Sequence, residues 1–92
     1  MKTVLQDNKE CYFCQSPYVE DHHIFFGKGK KKHAEKRGLK VWLCNAHHTG
    51  GGDCPHRNRK VDLLLKCMAQ QHYEEHIGTR EEFRLEFGKS YL

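Results

Sequence analysis

Apolar positions in this chain come in short runs broken by glycine and charge, and only the last third repeats with a helical period. Residues 1–10 are polar and predict an extended or loosely ordered arm. The segment Cys11-Tyr12-Phe13-Cys14-Gln15-Ser16-Pro17 reads as a knuckle, two thiols on a tight turn closed by proline. Residues 19–26 include Val19, Ile24, Phe25 and Phe26, the β-branched and aromatic types of a short strand, which here carries His22 and His23. Gly27 and Gly29 end it. Residues 31–37 predict a short helix stopped by Gly38, and 39–43 predict a partner strand ending at Cys44. Residues 45–48 open a helical turn that the run from Thr49 to Asp53, with three glycines, converts into a loop. Asn58 is a good N-cap with Asp62 in the first turn behind it. Val61, Leu64, Leu65, Met68, Ala69, His72 and His76 then share one predicted helix face. Gly78 ends that helix, and Thr79-Arg80-Glu81-Glu82 matches a capping box opening a last helix with Phe83 and Phe87 one turn apart.

Ninety-two residues make one small domain: an arm over 1–10, then a single unit over 11–92 whose helices occupy 59–92. A chain this short buries only about 60–65% of the surface its unfolded form exposes. With 37% hydrophobic and 30% charged residues, nothing compensates for that shortfall, and a bound metal is the obvious supplement. No apolar run is long enough to span a membrane, and the first residues lack the apolar core of a signal peptide. The expected location is cytoplasmic, with no membrane partner. The odd cysteine count and the spacing beside histidines favour metal ligation over a disulfide framework.

Cys11, Cys14 and Cys44 with His47 form a Cys3His set of two pairs, each with a two-residue spacer, as a tetrahedral structural zinc requires. Cys54 is the alternative fourth ligand, reachable through the glycine loop. The histidines left over sit beside this set. On a strand His22 and His23 point to opposite faces, so one can meet a metal while its neighbour meets a substrate-side water. His48 follows His47 and points about 100° away on a helix. His56 lies across the glycine loop. A second ion held by His22, His48 and His56 with open positions would be arranged for catalysis. His72 and His76 could chelate, but they continue an apolar stripe and are read as packing. Cys67 lies off that stripe as a bystander thiol. His33 is expected to meet phosphate or solvent.

The net charge of +4 conceals an asymmetry. Residues 27–40 hold Lys28, Lys30, Lys31, Lys32, Lys36, Arg37 and Lys40 against one acid, Glu35. A solvated loop is the plain explanation; its place between two ligand clusters favours a nucleic-acid backbone as partner.

Asp21-His22-His23-Ile24, the second strand ending Val41-Trp42-Leu43-Cys44, and Cys44-Asn45-Ala46-His47-His48 together resemble the HNH endonucleases of the ββα-metal superfamily, nearest the zinc-knuckle subgroup. The run from His22 to Leu92, with Phe87-Gly88-Lys89-Ser90-Tyr91, is similar to small phage HNH proteins related to recombination-enhancement nucleases. The resemblance covers residues 11–92. It implies an α+β fold: a small ββα-metal (His-Me finger) core, with its knuckle over 11–58, stabilised by structural zinc and followed by C-terminal helices. It implies a metal-dependent DNA endonuclease with His23 as general base, His22 and His48 as ligands and His56 as a further ligand. The catalytic ion would be Mg2+, Mn2+, Ni2+ or Zn2+, and the partners DNA and a recombination or phage protein, in a bacterial or phage-infected cytosol. One departure stands out: the family's central Asn falls at Leu39, with Gly38 before it. The competing expectation is a non-catalytic zinc module binding nucleic acid or protein.

Overall fold

The computed structural model describes residues 3–27, 29–50, 55 and 58–92. The chain forms strand β1 (Val19–His23), helix α1 (Lys30–Arg37), strand β2 (Lys40–Cys44), a π-helical turn (Ala46–Gly50), helix α2 (Arg59–His76) and helix α3 (Arg80–Phe87). It is a small mixed α/β fold, with a two-stranded antiparallel sheet in which Val19 faces Cys44, His22 faces Val41 and His23 faces Lys40. Helix α1 lies in the connection between the two strands.

Strand β1 is shorter than the sequence predicts. It ends at His23 because Ile24 and Phe25 turn inward and are fully buried. Phe25 becomes the hub of an aromatic cluster, with ring centroids 4.5 Å from Phe87, 5.3 Å from Phe83 and 5.6 Å from Tyr91. Each such pair adds about 0.5–1.5 kcal/mol beyond the area it buries. Gly27 (φ 100°) and Gly29 (φ 81°) then reverse the chain in the left-handed region that favours glycine. Helix α1 stops where expected, at Gly38 (φ 70°), whose amide bonds back to Ala34 and Glu35.

The N-terminal segment is pinned rather than loose. Val4 N–H donates to Gly38 O at 3.0 Å, Trp42 N–H donates to Gln6 Oε1 at 2.7 Å, and Thr3 Oγ1 bonds to Lys40 O. It therefore satisfies the outer backbone edge of β2, which would otherwise be open to strand addition.

Helix α2 begins at Asn58, whose Oδ1 accepts from the amides of Lys60 and Val61. Its buried face, however, is Asp62, Leu65, Lys66, Ala69, Gln70 and Tyr73. The predicted apolar stripe is rotated: Leu64 is 60% exposed and His76 faces solvent. Two polar pairings explain the rotation. Lys66 Nζ reaches both carboxylate oxygens of Asp62 (2.7 and 2.6 Å) and lies 4.6 Å from the Phe26 ring centre. Gln70 donates to Ser90 Oγ at 3.0 Å and accepts from Tyr91 N–H at 2.6 Å, which docks the C-terminal tail. Buried polar groups are tolerated only when paired in this way. Helix α3 carries the predicted capping box: Glu82 N–H donates to Thr79 Oγ1 at 3.1 Å and Thr79 N–H to Glu82 Oε1 at 2.9 Å. Phe83 and Phe87 are both buried. Among the described residues no helix is long and apolar enough to cross a membrane.

Candidate metal centre and the adjoining histidine cavity

The knuckle is shaped by two crossing backbone bonds, Cys11 N–H to Ser16 O and Gln15 N–H to Cys11 O, each 2.9 Å. Gln15 completes it at φ 63°. Tyr12 N–H donates to Trp42 O at 2.9 Å, which lashes the knuckle to β2 and brings both thiols to the strand's end at Cys44. The π-helical turn then returns His47 towards Cys44.

The ligand atoms of Cys11, Cys14, Cys44 and His47 all lie within 4.8 Å of one another, so this set could bind a metal ion. With Zn–S bonds of about 2.3 Å and Zn–N bonds of about 2.0–2.1 Å, a tetrahedron has S···S edges near 3.8 Å and S···N edges near 3.5 Å. Cys14 Sγ and Cys44 Sγ are 3.7 Å apart, and His47 Nδ1 is 3.6 Å from Cys11 Sγ and 3.2 Å from Cys44 Sγ. The cysteines of the set are free thiols. Distances, donor softness and pairing all suit a structural zinc.

The electrostatics agree. Burial pushes the Cys11 thiol up, but amides of Cys44, Cys14 and Phe13 directed at its sulfur outweigh that and bring it from 9.0 down to about 6. At Cys14 the Ser16 amide lowers the thiol, yet desolvation and the neighbouring sulfurs of Cys11 and Cys44 raise it on balance. Crowded thiolates repel one another, and a divalent cation between them would remove the repulsion. The alternative ligand Cys54 lies outside the described residues.

Beside this centre is a cavity of about 200 Å³ lined by Asp21, His22, His23, Phe26, Lys31 and His48. Strand β1 supplies His22, buried, and His23, half-buried; the sequence expects them to serve different faces, yet both line this one cavity. His48 reaches the cavity because its neighbour His47 is turned to the sulfur cluster. The rings of His22 and His48 are 5.4 Å apart. His48 Nδ1 meets Glu20 Oε1 at 2.8 Å, and His23 Nε2 meets Glu35 Oε1 at 2.6 Å. Neither glutamate is among the residues the sequence singles out. The one signal for Glu35 is its isolation as the single acid in a run of cations. Glu20 has no such signal. His56 lies outside the described residues.

The basic run divides. Lys31, Lys32 and Lys36 are exposed on α1, Lys30 is half-buried, and Lys28 lies outside the described residues. Lys40 does not belong to a surface patch: it is 1% exposed and its Nζ is 3.1 Å from Asp21 Oδ2. It was drawn inward because β2 carries it opposite His23, beneath two carboxylates. Arg37 is held at 3.0 Å by both oxygens of Glu86, which makes it a bridge between α1 and α3 rather than a cation presented to a partner. His33 also sits against Glu86, at 3.4 Å. His72 and His76 stack at 4.5 Å, half-buried and exposed respectively. The Cys67 thiol donates to Tyr91 O at 3.0 Å, away from the sulfur cluster. Leu39 is fully buried in the core. Comparison of the chain with family models, curated proteins and solved structures found no match.

Proposed function

We propose that this chain is a metal-dependent endonuclease that hydrolyses phosphodiester bonds in DNA, with a structural zinc on Cys11, Cys14, Cys44 and His47. The observation that carries this reading is the convergence of His22, His23, His48 and Lys31 on one cavity beside the Cys3His set. His22 and His48 suit a second divalent ion, since two imidazoles on one tetrahedral ion place their ring centres roughly 5 Å apart. Such an ion would supply charge to stabilise the scissile phosphate. Glu20 engages His48 at Nδ1 and thereby assigns Nε2 to any ion. His23, neutral, accepts the proton of the attacking water. Lys31, Lys32 and Lys36, exposed along α1, hold the phosphate backbone without reading sequence.

The test is nicking of supercoiled plasmid with Mn2+ or Mg2+. General-base help is worth about 10²–10⁴-fold, so H23A should lose that much activity with its zinc content unchanged. DNA binding should survive in H23A and weaken steeply with salt. Equal nicking by wild type and H23A would refute the assignment of His23.

A second reading, a non-catalytic zinc module that binds nucleic acid, is favoured by one observation: the Cys3His set is complete in itself among the described residues. Salt-sensitive DNA binding, full zinc occupancy and no cleavage with any divalent ion would select it.

A further inference from the structure

His23 is fixed at Nε2 by an acidic residue from another element. The Glu35 Oε1 contact, 2.6 Å, is short enough for a charge-assisted bond. Its carboxylate is itself restrained: Oε2 lies 3.9 Å from Lys40 Nζ, which is 1% exposed and anchored to Asp21 at 3.1 Å. Helix α1, which carries Glu35, is clamped to α3 through the Arg37–Glu86 fork. An isolated surface ion pair is screened by solvent and fixes little. Here a buried ammonium on β2 spaces two carboxylates, and one of them grips the imidazole on β1. His23 and Glu35 also line a hollow with Gly29, Lys31 and Lys32, beside the cavity that His23 shares with His22 and His48.

We infer that Glu35 is the positioning residue of His23: it accepts the Nε2 proton, fixes the neutral tautomer and leaves Nδ1 as the nitrogen that takes the proton from water. The inference rests on the nuclease reading for its catalytic consequence, though not for the pairing itself. A histidine whose far nitrogen is held by a carboxylate has its ring plane and its tautomer chosen before substrate arrives.

The experiment uses the full zinc-loaded chain with E35A and E35Q, read in two ways. Nitrogen-15 NMR of the His23 ring, recorded above the histidine titration range, should show one tautomer with a solvent-protected proton on Nε2. E35A should lose that protection. In plasmid nicking, E35A should lower kcat on the order of 10–100-fold, with KM for plasmid and zinc content unchanged. On an H23A background, E35A should cost nothing further, because a positioning residue has no role once its partner is gone. A protected Nε2 proton that persists in E35A, a wild-type proton on Nδ1, or wild-type nicking by E35A would each overturn the inference. If the wild type fails to nick at all, the nuclease reading falls, and the NMR arm alone then decides the pairing. Should E35A fail to hold zinc, E35Q decides: it keeps an oxygen for Nε2–H without the charge, so a rate between wild type and H23A supports the inference, and an unchanged rate refutes it.

Discussion

Arg37 and Glu86 meet through two parallel bonds of 3.0 Å, the geometry in which a guanidinium and a carboxylate bind best. Burial pushes the Glu86 carboxyl up, but the Arg37 bonds and charge outweigh it and hold the group below its usual 4.5. A carboxylate with a depressed folded-state value contributes stability that is full above the unfolded value and lost as pH falls through the folded one. E86Q should therefore cost about 1–2 kcal/mol near neutral pH, discounted for the partly exposed guanidinium. The gap should narrow as pH drops below 4.5. Urea midpoints of the two proteins across that range are the measurement, and a gap that stays constant would count against the fork. At this scale the sequence pointed to four side chains that the fold brings together and that could bind a metal, but it did not reveal the surroundings of each cation. Cysteine and histidine spacing names its own chemistry, whereas Lys31, Arg37 and Lys40 look alike in a basic run. Only their partners separate an exposed lysine from a bridge and a buried ammonium.

Caps made the helix limits legible at the level of elements: Gly38, Asn58 and Thr79 each use local bonds that need no tertiary context. The orientation of α2 was not legible. Leu64 and Leu65 are equivalent in a hydrophobic pattern, yet Leu65 is buried and Leu64 is not. L65A should cost about 2–5 kcal/mol, the range for truncating a buried leucine. L64K should change stability by no more than about 0.5 kcal/mol. Thermal or urea melts would report both, and comparable losses would refute the rotated face. The shortened β1 has a similar origin. Ile24 and Phe25 have strand propensity, and Ile24 N–H still reaches Leu39 O at 3.3 Å, but Phe25 is buried against three aromatic rings, two of them on α3.

On the scale of the whole molecule, the knuckle, β2 and the π-helical turn are joined at the Cys3His set, and that set stands next to the histidine cavity. The same turn sends His47 to the sulfurs and His48 to the cavity, so order at one site sets order at the other. A metal that binds only the folded chain adds its binding energy to folding, an apparent value of about 10–16 kcal/mol for structural zinc near neutral pH. A strong chelator should therefore unfold the chain cooperatively, with loss of helical circular dichroism, and zinc should restore it. C44S should behave as the chelated protein does. Helical signal that survives chelation unchanged would show that the aromatic core suffices alone.

The chain's own residues determined the Cys3His set that could bind a metal, the helix caps and the mixed α and β character, because each depends on chemistry within a few positions of sequence or on a repeating spacing. Tertiary structure decided which face of α2 is buried, that Lys40 is internal, that the N-terminal segment covers β2, and that Glu20 and Glu35 stand against histidines. Those outcomes follow from contacts between residues far apart in the chain, where burial of a charge or an apolar ring is settled by what happens to lie opposite it.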